Sequence, residues 1–149
     1  MNKPLSQLKI LDLSTLLPGP YASMLMADMG ADVLSIEAID RDDLVKSFEP
    51  SINGNSYAFL TLNRNKKAIA LDLKNPAAVE IVKKLISEYD IVLEQFRPGV
   101  MAKLGLDYQT LKAINPKLIY CSITGYGQDG CYKKRAGHDI NYLALSGLA

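Results

Sequence analysis

His138 is the only histidine among 149 residues. It stands in the segment Ala136-Gly137-His138-Asp139-Ile140-Asn141-Tyr142. An imidazole changes charge near neutral pH, so it is the side chain best suited to moving a proton. Asp139 follows directly and is expected to cap a helix opening at Ile140, accepting the N–H of Asn141 or Tyr142. Such a helix start aims backbone N–H groups and a positive partial charge at the imidazole's surroundings, pairing a base with a site for a developing oxyanion. Anion binding is the second chemistry on offer. Arg97, fixed by Pro98, can grip a phosphate through two parallel hydrogen bonds, and Lys74 follows a strand end where a phosphate could lie. Arg64, Lys66 and Lys67 read instead as a solvated charge run. The sequence holds no Ser/His/Asp nucleophile motif, no metal-type ligand spacing and no nucleic-acid signature.

The elements that position these residues alternate in type. Short apolar runs predict strands at Leu8–Leu13, Asp32–Glu37, Ala68–Leu73, Ile91–Glu94 and Leu118–Ile123. Tyr21–Met29 reads as a helix that is apolar nearly all round, hence buried, entered through a Leu17-Pro18-Gly19-Pro20 turn and closed by Gly30. Pro76–Tyr89 is the clearest helix, capped by Asn75, with Ala78, Ile81, Val82, Leu85 and Tyr89 on one face and a Glu80–Lys84 pair on the other. A short helix at Val100–Leu104 and a capped one at Asp107–Ile114 follow. Residues 38–57 are polar and mixed, and read as a long excursion. Strands alternating with helices predict an α/β, Rossmann-like, mostly parallel sheet with helices on both faces. In such sheets ligands bind beyond the carboxyl ends of the strands. The loops there are Ser14–Pro20, Asp72–Asn75, Gln95–Gly99 and Thr124–His138.

Size and composition set the frame. The length suits a single domain. Hydrophobic residues make up 48% and charged residues 22%, with a formal net charge of +1. That balance gives no electrostatic case for nucleic acid or membrane as partner. The apolar stretch from Leu13 to Ala27 is too short to span a bilayer, and Met1-Asn2-Lys3-Pro4 lacks the apolar run of a secretion signal. Cys121 and Cys131 read as reduced thiols of a cytoplasmic protein. Ile140–Ala149 carries no charge and no evident helix stop, so the chain is expected to break off inside a packed helix, as an incomplete domain does.

Taken together, several segments resemble family III CoA-transferases over essentially the whole chain. They are Leu17-Pro18-Gly19-Pro20, Gly30-Ala31-Asp32-Val33, Asn63-Arg64-Asn65-Lys66-Lys67, Leu71-Asp72-Leu73-Lys74, Phe96-Arg97-Pro98-Gly99-Val100-Met101, Asn115-Pro116-Lys117-Leu118-Ile119-Tyr120 and Gly125-Tyr126-Gly127-Gln128. Within that superfamily, Gly137-His138-Asp139-Ile140-Asn141-Tyr142 points to the α-methylacyl-CoA racemase branch. The resemblance implies the N-terminal part of a large Rossmann-like domain, in homodimers whose chains interlock. It implies an acyl-CoA substrate and no cofactor beyond its CoA moiety. It also implies CoA contacts from Leu71, Asp72, Leu73 and Lys74, from Gln95, Phe96 and Arg97, from Lys103, and from Gly137, Asn141 and Tyr142. His138 is implied as one of two acid/base groups, working beside Asp139 on the thioester. The second group, an aspartate in a glycine-rich segment, is expected beyond Ala149; in the transferases the same aspartate is the nucleophile. Two further departures from the family pattern are Ala38, where an arginine usually stands after the second strand, and Cys131, where a proline is common. CoA transfer between carboxylic acids, and a catalytically inactive CoA-binding or dimerising module, are the alternatives to racemisation.

Overall fold

A computed structural model describes residues 3–148; Met1, Asn2 and Ala149, which closes the terminal apolar run, lie outside the described residues. In chain order the elements are β1 (Lys9–Asp12), α1 (Pro18–Asp28), β2 (Asp32–Glu37), β3 (Ser51–Ile52), β4 (Asn55–Ser56), α2 (Tyr57–Leu62) and β5 (Lys67–Ala70). They continue with α3 (Pro76–Ile86), β6 (Ile91–Glu94), α4 (Val100–Lys103), α5 (Tyr108–Ile114), β7 (Ile119–Ser122) and α6 (Asp139–Ser146). Five strands pair in the order β5-β2-β1-β6-β7, every pair parallel. The chain builds outward from β1 through β2 to β5, then returns to set β6 and β7 on the other side of β1. That reversal makes the gap beyond β1 and β6 a topological switch point, where ligands bind in open parallel sheets.

Side chains alternate across the sheet, so each face has its own core. Leu11, Leu34, Ile36 and Val92 face α3, α4 and α5, packing with Val82, Ile86, Met101 and Leu111. Ile10 and Val33 face the other way, toward Ala27 of α1 and Ala31. The predicted α/β class and parallel sheet are therefore present, with helices on both faces.

Several local expectations need correcting. Helix α1 begins at Pro18, three residues early, because a proline loses nothing at the first helical position. It is not buried all round. Only the side bearing Pro20, Ser23, Met24 and Ala27 meets the sheet, while Leu17, Tyr21 and Leu25, four residues apart, are exposed. Residues 38–57 are built rather than loose: a 3-10 turn at Leu44–Ser47 is capped by Asp43, and β3 and β4 form a hairpin around Asn53 and Gly54, both at positive φ. The Ser56 hydroxyl then accepts the Phe59 N–H at 2.9 Å to start α2.

Helix α3 stops at Ile86, and its buried stripe is Ala78, Val82 and Ile86; Ile81 lies at the rim, 44% exposed. Glu80 pairs with Lys83 at 2.9 Å, one residue short of Lys84, because residues three apart also share a helix face. No residue of α6 is buried, so it is not the packed helix expected. It does have a stop. Gly147, at φ +80, ends it, with Gly147 N–H on the Ala144 carbonyl at 3.4 Å and Leu148 N–H on that of Leu143 at 3.0 Å. No described helix is long and apolar enough to cross a membrane.

Candidate functional site at the carboxyl edge of the sheet

Because all five strands are parallel, the loops after β1, β5, β6 and β7 emerge on one edge. Several clefts open there, and Phe96 lines two of them. The larger, about 730 Å³, lies at the switch point between Leu16–Pro18, Gln95–Pro98 and the segment from Ile123 to Tyr142. The smaller, about 300 Å³, runs from Ile36–Ala38 to Leu71–Lys74 and α4.

The rim between β1 and β6 is cross-braced. The Gln95 amide donates to the Thr15 carbonyl, and its oxygen accepts the Gly19 N–H at 3.3 Å. Glycine at 19 is needed there, because a Cβ would collide with the Ser14 side chain. Beneath the brace, the Asp12 carboxylate is 1% exposed and takes the Ser14 N–H at 2.9 Å, the Ser14 and Ser23 hydroxyls, and Lys66 Nζ at 3.5 Å. Lys66 also donates to the Pro20 carbonyl at 2.9 Å. Burial pushes the Lys66 ammonium below its usual range, against the opposing pull of Asp12. Lys66 is therefore not part of a solvated run. Arg64 and Lys67 stay at the surface, paired with Asp28 and Asp32.

His138 sits at the start of α6, in extended backbone conformation, with its side chain exposed. Its carbonyl accepts the N–H of Asn141 at 2.9 Å and of Tyr142 at 3.4 Å. Its own N–H is held by the Asn141 side chain at 2.8 Å. Asp139 is thus not the cap: His138 occupies that position, and Asp139 is the first helical residue and lines the larger cleft. The Asp139 and Ile140 N–H groups are left free of helical partners by this geometry. Tyr142 pins the loop. Its ring lies against both Gly125 and Gly137, and its hydroxyl donates to the Gly137 carbonyl at 3.0 Å. A Cβ on Gly137 would stand 2.8 Å from the Tyr142 ring and 2.9 Å from the Tyr126 hydroxyl oxygen. Gly137→Ala is expected to cost about 1–3 kcal/mol of loop order, read as faster amide exchange over residues 125–142 with unchanged protection in the sheet.

The residues expected to bind fall into three groups. Gln95, Phe96, Arg97, Gly137, Asp139 and Tyr142 share the larger cleft. Leu71, Asp72, Leu73 and Lys74 line the smaller one with Phe96, and Lys74 is paired with Asp40 at 2.6 Å. Lys103, exposed on α4, lines neither cleft, and Asn141 is exposed and engaged in the helix start.

Sequence reading missed Asp12, Lys66 and Glu94. Glu94, at the end of β6, is 3% exposed and accepts the Phe96 N–H at 2.8 Å. Burial raises its carboxyl above the usual range, opposed by hydrogen bonds from Ser122 and the Phe96 N–H. A folded pKa above the unfolded value gives stability that is full below the unfolded pKa and lost as pH rises through the folded one. Glu94→Gln, still able to accept the Phe96 N–H, should therefore remove this loss. Its melting temperature relative to wild type should be higher at about pH 8 than at about pH 4, with the unfolded carboxyl near 4.3.

Residues 5–149 match CoA-transferase family III, and the chain belongs to that family. Succinyl-CoA:glutarate CoA-transferase of Mus musculus is 45% identical over 147 residues, covering 98% of this chain and 34% of that protein. Human alpha-methylacyl-CoA racemase is 41% identical over 144 residues, covering 97% and 34%. The crystal structure of a CAIB/BAIF family protein from Brucella suis superposes with a TM-score of 0.92 at 39% identity, covering 99% of this chain and 40% of that one. The chain spans about a third of the length of these curated relatives. They divide between CoA-transferases and racemases.

Proposed function

We propose that the protein acts on the α-carbon of a 2-methylacyl-CoA, with His138 as the base that removes the α-proton. What supports this reading is the sequence position of the lone histidine at the start of α6, flanked by Gly137 and Asp139, which line the switch-point cleft although His138 itself does not. The thioester carbonyl acidifies the α C–H. His138 takes the proton, and the C–H electron pair moves into the enolate, whose oxygen lies within reach of the Asp139 and Ile140 N–H groups. The aspartate expected downstream of Ala149 returns a proton to the opposite face, so racemisation consumes nothing. The CoA moiety runs along Phe96 from the Leu71–Lys74 cleft, with Arg97 on its phosphates.

Transfer of CoA between carboxylic acids is the second reading, favoured by the 45% identity to a succinyl-CoA:glutarate CoA-transferase. One experiment separates them. Incubated in deuterated water with a 2-methylacyl-CoA alone, the intact protein should incorporate deuterium at carbon two. CoA movement to an added free acid, without such exchange, overturns the racemase assignment. We also infer a cytoplasmic homodimer, on the resemblance and on the exposed apolar stripe of α1; sedimentation of the intact protein as a monomer at micromolar concentration would rule the dimer out.

A further inference from the structure

Glu94 closes β6, a strand whose other residues, Ile91, Val92 and Leu93, are all apolar. Its side chain is almost wholly buried, and no step of the reaction above uses it. An acid in such a place is costly to bury unless its oxygens are engaged, and here they are. Oε2 accepts the Phe96 N–H at 2.8 Å, and the carboxyl takes a further hydrogen bond from Ser122, its register partner on β7. The Glu94 carbonyl accepts the Ile123 N–H at 2.8 Å, so backbone and side chain together fasten the end of β6 to β7. The turn that follows supplies the ligand-facing groups. Phe96 is shared by the two clefts of the proposed acyl-CoA site, and Arg97 lines the larger. Gln95 anchors this turn on the β1 side, through Thr15 and Gly19, and Glu94 anchors it on the β7 side. Glu94 lines neither of those clefts. It lines a separate one of about 630 Å³, shared with Arg97, Tyr108 and Tyr120. Local hydrogen bonds from side chain to backbone ordinarily do no more than shape a turn. This one is set apart by its burial and by where it ends, on the residue common to both ligand clefts.

We propose that Glu94 is a positioning residue: its buried carboxyl, by holding the Phe96 N–H, sets the Phe96–Arg97 turn in the form that binds acyl-CoA before any ligand arrives. This rests on the acyl-CoA reading above and applies to either reaction considered there. A turn already in its bound form spares the ligand the cost of ordering it. Glu94 acts on the turn as an acceptor, so a neutral amide of the same shape serves as well. Its contribution falls on binding, because His138 stands on α6 and its backbone is fastened separately by Asn141.

The test is calorimetric binding of CoA to the intact protein, together with kcat and KM of whichever reaction it catalyses. Glu94→Leu, close in size but without an acceptor, should weaken CoA by about 5- to 100-fold, as when a buried donor loses its partner, raise KM in step and leave kcat within about threefold. Glu94→Gln should stay within about threefold of wild type in all three quantities, because the acceptor is kept. In an Arg97→Ala background, Glu94→Leu should cost far less than it does alone, since the two residues act through one turn. Free wild-type protein should already protect the Phe96 amide from exchange, a measurement that needs no folded variant. Wild-type affinity in Glu94→Leu, an equal loss in Glu94→Gln, additive losses with Arg97→Ala, or a Phe96 amide protected only once CoA is bound would each overturn the inference. A fall in kcat at unchanged KM would do so too, by placing Glu94 at the reacting centre. Wild-type protein that does not bind CoA overturns this inference together with the acyl-CoA reading, whereas the other failures remove the inference alone.

Discussion

His138→Ala in the intact protein should slow deuterium incorporation at carbon two of a 2-methylacyl-CoA by about 10²–10⁴-fold, the usual worth of a positioned general base. Folding should hardly change. The side chain is exposed, and the bonds that start α6 run through the His138 backbone and the Asn141 amide, none of which the substitution removes. Exposed substitutions of this kind shift stability by no more than about 0.5 kcal/mol. Binding of CoA should also persist, because the clefts are lined by Phe96, Arg97 and Lys74 rather than by the imidazole. His138→Asn makes the control, since asparagine suits a helix-start position but cannot take the proton at neutral pH. If exchange in either variant ran at the wild-type rate, His138 would be only a helix-start residue, and the base would have to be sought elsewhere.

The largest effect on stability is expected from Asp12→Ala, at about 3–5 kcal/mol. Asp12 and Lys66 are both almost wholly buried, with side-chain exposures of 1% and 2%. Removing the carboxylate leaves an ammonium in the interior with only the Pro20 carbonyl at 2.9 Å and the Asn63 side chain at 3.4 Å to satisfy it. It also frees the Ser14 and Ser23 hydroxyls that tie the β1 loop to α1. Against a typical stability of about 5–15 kcal/mol for a domain, the loss is large. Asp12→Ala/Lys66→Met tells charge from packing. Replacing a buried pair with apolar groups is often nearly neutral, so the double variant should recover most of what the single one loses. A urea melt showing Asp12→Ala within about 1 kcal/mol of wild type would mean that the pair contributes nothing to holding the cleft's rim.

Much of this architecture can be read from the chain because its elements are sharply punctuated. Each sheet strand is an apolar run of four to six residues closed by polar or turn residues, and Asn75-Pro76 announces α3. The rule for parallel sheets then brings Arg97, Lys74 and His138 to one edge without any coordinates. What escapes the sequence depends on contacts between distant residues. Lys66 looks like its neighbours Arg64 and Lys67, and only a partner 54 residues away distinguishes it. Glu94 looks like the polar end of a strand, and its burial depends on how β7 and the Phe96 turn close over it. Other features are local but weakly signalled. Asn53-Gly54 is a strong hairpin signal, but strands of two residues carry no alternation to support it. At α1, apolar composition says that a helix has much to bury, not which side the sheet will cover. At α6, Gly147 was the stop signal at the end of a short uncharged run.

The internal neutralisation of charge along this edge has an effect beyond stability. Asp12 is matched by Lys66 and Asp40 by Lys74, while burial holds Glu94 toward its uncharged form. The larger cleft is lined by three cations, Arg97, Lys133 and Arg135, against one carboxylate, Asp139. A chain of net charge +1 can thus project a focused positive field from a concave, low-dielectric mouth. Polyanionic molecules diffusing nearby are drawn to that mouth first, and added electrolyte slows their arrival far more than the molecule's near-neutral total would suggest.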